Sequence, residues 1–392
     1  MRPGCIVFSI FIACGLSAVF LLTGLCLAQI GPSTRQNQAE RTESSAASEH
    51  RARAEMELQQ GTLLSHQASF AEAIPHLQAA RGHVANEYAA SFNLALCYVG
   101  TRQYRQAIAV LEELRKDGHA NADVENLLAQ ALVGNRESGL AFDALKRAST
   151  LTPNNEKLYM FVADACMEQH DYALGLNVVD LGLTSLPNSA RLHYERAVFL
   201  SQLDEFDRAR VDFQAAQKLD SDGEISCLAA AYEAMYAGEP ARAIPAAREG
   251  LSKGHQNATL LTILGESLLR AGAHPGESEF GEAQAALEKA VALQPRDVSA
   301  RTSLGRLYLV ANRTAAALAQ LERARELDPG NPSVYALLAK AYQRQGNSER
   351  AQEALTRLTE LNAAQAEKIG SAPGDRKASY AGSRAEESPG RR

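Results

Sequence analysis

Five short segments repeat along this chain of 392 residues: SFAEAI at 69–74, QYRQAI at 103–108, DYALGL at 171–176, EFDRAR at 205–210 and EPARAI at 239–244. Each start is separated from the next by 34 residues or by a multiple of 34. A fixed period of this length is typical of a chain built from stacked copies of one structural unit. Counted from residue 54, the period predicts nine units, with starts at residues 54, 88, 122, 156, 190, 224, 258, 298 and 332 and an insertion in the seventh unit.

Small side chains recur at two positions of every unit. Each unit has two apolar-periodic stretches separated by a short polar turn, a pattern that predicts a helical hairpin. Positions 8 and 20 hold Ala or Gly in all nine units. With 70 Ala and 27 Gly in the chain, chance would fill all eighteen positions on the order of once in 10^11 trials. Two helices approach to about 8 Å only where their crossing point carries no bulky side chain, so these residues are predicted helix contacts. They include Ala95, Ala129, Ala163, Ala197, Ala209, Gly265, Ala283, Gly305, Ala317 and Ala339.

This pattern resembles the tetratricopeptide repeat. The shared features are the 34-residue length, the small residues, an aromatic residue at position 17 such as Phe70 or Tyr104, and a proline at position 32 such as Pro153. The chain departs from the family pattern because no unit has Trp at position 4 and Pro240 stands at position 17 of the sixth unit. The resemblance covers residues 54–365. It implies an all-α, right-handed superhelical solenoid whose first helices line a concave groove.

Composition and motifs exclude several classes of function. The chain has 40 Lys and Arg against 46 Asp and Glu, whereas nucleic-acid binders concentrate positive charge, so we predict no nucleic-acid partner. The nine His are scattered and form no His-Glu-x-x-His motif, so we predict no metal site and no cofactor. Little chain remains outside the repeats for a catalytic domain. The sequence therefore predicts a protein that is not an enzyme.

The first residues have the composition of an export signal. Residues 5–28 are almost continuously apolar, and the small residues Cys26 and Ala28 precede a candidate cleavage point. A stretch of this length fits either a cleaved signal peptide or an uncleaved membrane anchor over residues 1–28, and both interpretations stay open. We therefore expect an exported protein, periplasmic or extracellular, or one anchored in the inner membrane. The polar composition of residues 29–53 and 366–392 predicts a disordered linker and a disordered tail.

The resemblance assigns positions 5, 9 and 12 of each unit to the concave face. In the fourth to sixth units these positions predict an apolar groove with Met160, Asp164, Met167, Tyr194, Val198, Tyr232 and Met235. Adaptable Met beside rigid Tyr is a composition suited to gripping a peptide. The alternative is that these residues only pack between adjacent first helices.

Four cations follow in the last three units, namely Arg270, Arg306, Lys340 and Arg344. They predict a basic wall for an acidic segment or a chain-terminal carboxylate, with a solvated charged face as the alternative. The predicted function is a non-catalytic scaffold that binds other proteins or peptides. A second hypothesis is an accessory subunit of envelope assembly or polysaccharide export that contacts glycan through its Tyr residues.

Overall fold

The structure is a computed structural model that describes residues 32–370, with side chains described for residues 47–364. Over the described residues it contains eighteen α-helices and no β-strand. The helices are α1 (Pro32–His66), α2 (Phe70–Ala80), α3 (Glu87–Gly100), α4 (Tyr104–Lys116), α5 (Ala122–Gly134), α6 (Ser138–Leu151), α7 (Glu156–Glu168), α8 (Tyr172–Ser185), α9 (Ala190–Gln202), α10 (Phe206–Leu219), α11 (Glu224–Tyr236), α12 (Pro240–Ser252), α13 (Ala258–Arg270), α14 (Ser278–Leu293), α15 (Val298–Val310), α16 (Thr314–Leu327), α17 (Pro332–Gln345) and α18 (Ser348–Gly370). This confirms the predicted all-α solenoid of helical hairpins.

Small residues lie where the two helices of a hairpin cross. Consecutive helices pack as pairs, from α1 with α2 to α17 with α18. The alanines predicted at these crossings are all buried. A Cβ atom at Gly265 would lie 2.5 Å from Cγ of Leu287, and one at Gly305 would lie 2.7 Å from Cγ of Leu321. These positions are small because a leucine of the partner helix already fills the space that a side chain would need.

The turn inside every hairpin uses one residue in the left-handed conformation. This residue stands at position 15 of each unit and has φ between 56° and 97°. The nine residues are Ala68, Arg102, Arg136, His170, Asp204, Gly238, Gly272, Asn312 and Gly346. In the second unit the amide of Gln103 then donates to the carbonyl of Tyr98 at 2.8 Å. A left-handed residue followed by this backbone bond ends the first helix and reverses the chain.

Unequal contacts between neighbouring hairpins curve the stack. The first helices of successive units pack against one another from α1 to α7 and again from α9 to α17, whereas among the second helices only α6 and α8 do so. Closer contact on one side places the first helices on the inner, concave face. His170 Nε2 lies 3.2 Å from Oδ2 of Asp328, 158 residues further along the chain, so the curvature brings the fourth unit back to the loop between α16 and α17.

The buried core consists of two parts that meet in the fifth unit. One cluster runs from Ala54 to Phe199, and the other runs from Tyr194 to Ala354. Partly buried Met167 and Leu176 pack against both. The regular stack therefore changes its packing between the fourth and fifth units.

The structure corrects the prediction of a disordered linker over residues 29–53. From Pro32 onwards these residues belong to α1, because residues 33–60 contain no Gly or Pro and are rich in Ala, Glu, Gln and Arg, which favour helix. Residues 47–53 are exposed, so this part of α1 adds nothing to the core. The start of the predicted tail is also helical, since α18 continues to Gly370. The predicted signal or anchor at 1–28 and the rest of the tail lie outside the described residues.

Candidate functional site

The predicted groove residues differ in how far they reach solvent. Four of the seven are half-buried on the first helices: Met160, Met167, Tyr232 and Met235. Asp164 is exposed. Tyr194 and Val198 are buried, with exposed fractions of 6% and 7%. The middle of the groove therefore offers Met and Tyr surface, while Tyr194 and Val198 act mainly as packing residues between helices.

An aromatic cluster supports the centre of the groove. The Tyr194 ring centroid lies 6.0 Å from that of Tyr232, and Tyr232 stacks on Tyr236 at 5.0 Å with an interplanar angle of 18°. Phe213 of α10 backs both Tyr194 and Tyr232 at 6.1 and 5.8 Å. The Tyr236 hydroxyl accepts a hydrogen bond from the Gln202 amide at 2.6 Å. Tyr236 was not among the predicted groove residues, although its place four residues after Tyr232 puts it on the same helix face.

Two carboxylates and one guanidinium lie beside this cluster, on α7 and α9. Arg191 Nε donates to Oε1 of Glu195 at 3.1 Å. Burial, and to a smaller extent the nearby Asp164 carboxylate, raise the pKa of Glu195 to about 7 against the opposing effect of Arg191. Asp164 reaches solvent, yet crowding by its neighbours desolvates the carboxylate and raises its pKa as well. Glu195 and Arg191 fall at positions 6 and 2, outside the three positions used to predict the groove.

Helices α7 and α9 do not pack closely against each other. Every other pair of successive first helices in the described part of the chain does. As in the other hairpins, the second helix α8 packs against both its own first helix α7 and the next first helix α9. Phe199 of α9 fills the position that a side chain at Gly175 of α8 would take, which holds α9 on α8.

The predicted basic wall is partly neutralised. Arg270 lies 2.7 Å and Arg306 lies 3.5 Å from the same carboxylate oxygen of Glu266. Arg344 donates to the carbonyl of Leu309, while Lys340 is exposed. The four cations are thus not one uniform positive surface, because Glu266 stands between two of them. The basic wall is predicted from the cationic side chains alone, so the prediction leaves out Glu266.

The described residues bring together no group of three or more His, Cys, Asp or Glu that fits a metal ion. Cys97, Cys166 and Cys227 are buried free thiols, and burial raises the pKa of each.

Within residues 32–370 none of the helices has the length and apolar character needed to span a membrane.

Several solved structures resemble this chain. The type IV pilus biogenesis factor PilW is 20% identical with a TM-score of 0.40, and the match covers 52% of this chain and 91% of PilW. YrrB, a TPR protein with an unusual peptide-binding site, is 23% identical with a TM-score of 0.33, covering 48% and 97%. A thermophilic TPR protein of Thermus thermophilus is 18% identical with a TM-score of 0.40, covering 46% and 99%. No curated protein sequence matches the chain significantly.

Two family models match separate parts of the chain, and both describe the tetratricopeptide repeat. One matches residues 64–131 and 311–368, and the other matches residues 228–277 and 276–332. Together these ranges include more than half of the 392 residues. The matches agree with the nine hairpins and with the small residues at their crossings. The chain therefore belongs to the tetratricopeptide repeat family.

Proposed function

We propose that this chain is a non-catalytic scaffold that binds peptide segments of partner proteins on the concave face of α7, α9 and α11. Tetratricopeptide repeat proteins generally mediate protein–protein interactions. One observation carries the choice of site: Met160, Met167, Tyr232 and Met235 remain half-buried on this face. Thioether side chains adapt to different partners, and Tyr contributes contact area at a low cost in conformational entropy.

The aromatic geometry favours a peptide over a glycan. Sugar binding by stacking needs an accessible ring face. Tyr232 and Tyr236 instead stack on each other, and Phe213 lies behind Tyr232. Tyr194 is buried. The remaining surface is made of ring edges and Met side chains, which suit apolar peptide side chains.

The test replaces half-buried groove residues and spares the core. Tyr232→Arg combined with Met235→Arg places two charges in the groove. Tyr194→Arg is unsuitable because it would bury a charge and destabilise the fold, so a loss of binding could not be attributed to the groove. Val211→Arg is the matched control, because Val211 lies exposed on the second helix α10. Random decapeptides displayed on phage are selected on the full chain, and the affinity of the best binders is measured by fluorescence anisotropy.

We expect the double variant to lose about tenfold or more in affinity for the selected peptides, since buried contacts dominate such interfaces. Val211→Arg should bind as the parent does, and both variants should keep the parent's helical circular dichroism. Peptides that bind the double variant as tightly as the parent would reject this groove as the binding site.

We further propose that residues 1–28 direct export. The apolar run at residues 5–28 and the small residues Cys26 and Ala28 support this assignment. Expression in a bacterial host, followed by fractionation and amino-terminal sequencing, tests it. Cleavage should leave Gln29 as the first residue of an exported protein, and an uncleaved anchor should leave the full chain in the membrane fraction. Recovery of the full chain from the cytosol would contradict both outcomes.

A further inference from the structure

A cleft of about 620 Å³ lies at the junction of the first two units, among the carboxyl-terminal ends of α2 and α4 and the first half of α3. We call it the α2–α4 cleft. Helix α2 has 11 residues and ends at position 27 of its unit, whereas the other second helices of the described chain end at position 29 or later. The volume is within the usual range of ligand sites.

The small residue at position 4 of the second unit also leaves space in this cleft. In the fourth and ninth units position 4 carries Tyr159 and Tyr335, with exposed fractions of 0% and 8%. Their hydroxyls donate to the carbonyls of Pro153 and Pro329 at 2.9 and 3.1 Å, so each ring packs at the junction with the preceding unit. The second unit has Ser91 at this position, and Ser91 lines the cleft. The chain thus leaves open a place that it fills twice elsewhere with a phenol ring.

The floor of the cleft is apolar. Leu94 and Leu114 line it, and both are buried. Leu114 stands at position 27, where the fourth unit has Gly182, and a Cβ atom at Gly182 would lie 2.9 Å from Cγ of Tyr159. Leu114 therefore takes part of the space that a ring has in the fourth unit, and the cleft is the part that remains. An apolar floor of this kind suits a flat aromatic side chain.

Charged groups form one wall and the outer edge. Arg81 Nε donates to Oγ of Ser91 at 3.1 Å, and its Nη2 donates to Oε2 of Glu113 at 2.5 Å. These bonds fix the planar guanidinium, which can stack on an aromatic ring. Glu87, Glu113 and Asp117 also line the cleft, so one guanidinium stands against three carboxylates. Asp117 is exposed and forms no ion pair with another described residue. A cation beside the guest ring would therefore be attracted, and a carboxylate would be repelled.

We propose that the α2–α4 cleft receives an aromatic side chain of a partner protein that carries Lys or Arg within two residues of the ring. The ring takes the place that Tyr159 and Tyr335 occupy in their own units, and the basic residue pairs with Asp117. Two observations carry this inference: the packing of those two tyrosines, and the excess of carboxylates around an open cleft. The cleft belongs to the first two units, so the inference does not depend on the proposed groove of α7, α9 and α11.

Defined peptides test the guest. The probes are the acetylated and amidated pentapeptide Lys-Ala-Tyr-Ala-Lys and two versions of it, one with Leu for Tyr and one with Glu for both Lys. They are titrated into the full chain, and binding is followed by NMR of the Leu methyl groups. The Tyr peptide should bind about fivefold more tightly than the Leu peptide. The Glu peptide should bind about tenfold more weakly than the Lys peptide.

Variants of the chain test the place. Ser91→Tyr puts the chain's own ring into the cleft and should weaken binding of the Tyr peptide about tenfold or more. Ser91→Ala is the matched control, because it keeps the space open and should bind within about twofold of the parent. Asp117→Asn changes only an exposed side chain and should weaken the Lys peptide about threefold. Circular dichroism should be that of the parent for all three variants.

The contrary outcomes are distinct. Equal affinity for the Tyr and Leu peptides, no binding of any probe, or undiminished binding to a folded Ser91→Tyr variant would overturn the inference. Tyr232→Arg with Met235→Arg should leave the affinities unchanged. Binding lost in that variant but kept in Ser91→Tyr would place the peptides in the concave groove, which would overturn the cleft and support the proposed function.

The chain's own tail is a competing guest. A synthetic peptide of residues 371–392 contains one aromatic residue, Tyr380, between Lys377 and Arg384. It should bind no more tightly than the Tyr pentapeptide. Tighter binding that is lost both in Ser91→Tyr and on changing Tyr380 to Ala would assign the cleft to the tail and overturn the assignment to a partner.

Discussion

Adding one methyl group at Gly265 should destabilise the seventh hairpin, whereas the same change at Gly281 should stabilise it. Gly265 lies in α13, where a Cβ atom would stand 2.5 Å from Cγ and 3.0 Å from both Cδ atoms of Leu287. Leu287 is fully buried, and side chains in a packed core have little room to move. Gly281 lies in α14 of the same hairpin, and a Cβ atom there would meet nothing within 4 Å. The two positions are therefore a matched pair for Gly→Ala.

The expected free energies follow from two opposing effects. Replacing Gly by Ala in a helix stabilises it by about 0.5–1 kcal/mol, because Ala loses less backbone entropy on folding. Forcing an extra methyl group into a packed core costs about 1–3 kcal/mol. Gly281→Ala should show only the gain. Gly265→Ala should be less stable than Gly281→Ala by about 1–3 kcal/mol, because the helix-propensity effect cancels between the two variants.

Urea unfolding followed by circular dichroism measures this difference. Because a long repeat array can unfold in parts, hydrogen exchange of the α13 and α14 amides supplies a local measure of the same free energy. Gly281→Ala should slow exchange in the seventh hairpin, and Gly265→Ala should accelerate it. If Gly265→Ala proves as stable as Gly281→Ala, Leu287 yields to a methyl group without cost, and the close approach of Leu287 does not explain why glycine stands at this crossing.

Three further changes test single interactions. Burial raises the pKa of Glu195 from the ordinary 4.5 to about 7, so between these pH values the folded chain holds one more proton than the unfolded chain. The free energy of unfolding should therefore fall by up to about 3 kcal/mol as the pH rises through that window. In urea unfolding at a series of pH values, Glu195→Gln should remove this fall in the midpoint, and parallel profiles of parent and variant would contradict the raised pKa. Arg136 has a left-handed backbone with φ 65° and an exposed side chain. Arg136→Gly should relieve about 1 kcal/mol of backbone strain and raise the urea midpoint. A midpoint below that of the parent would argue against backbone strain at this turn. The Glu125 side chain is 3% exposed and lies 3.2 Å from Arg115 and 3.0 Å from Arg147. Because both ion pairs are lost, Glu125→Gln should lower the free energy of unfolding by about 2–3 kcal/mol. A loss below about 0.5 kcal/mol would show that the two ion pairs contribute little to stability.

The hairpin architecture was predictable because it depends on side-chain size, which the sequence displays directly. Ala283 and Ala317 are fully buried at helix crossings, as their positions in the repeat predict. The left-handed residue in each turn was not predictable in the same way. Arg102, His170 and Asn312 adopt it alongside glycines, because the geometry of the tight turn imposes the conformation on whatever residue stands at position 15. Because only three of the nine residues at this position are Gly, the backbone requirement leaves a compositional trace too weak to predict each turn.

The extended first helix shows a second limit of composition. Residues 32–53 have too few apolar side chains to build a core, and disorder was predicted on that ground. The structure makes them helical, and residues 47–53 are exposed. Helix formation needs only favourable local propensity and a stable helix to extend. Burial and helicity are thus separate properties, and a polar composition predicts only that a segment is not buried.

The groove was predicted only in outline, and the reason lies in one pair of residues. Positions 5, 9 and 12 locate the concave face, but they assume that every first helix packs on the next in the same way. Phe199 and Gly175 break that regularity, because a bulky ring in α9 meets a glycine in α8. The ring packs α9 against α8, and Tyr194 of the same helix becomes part of the core. A repeat pattern describes what its units share, whereas specificity for one partner depends on where a unit differs. Positions 5, 9 and 12 alone therefore assign Tyr194 to the groove surface, although the packing of its own helix makes it a core residue.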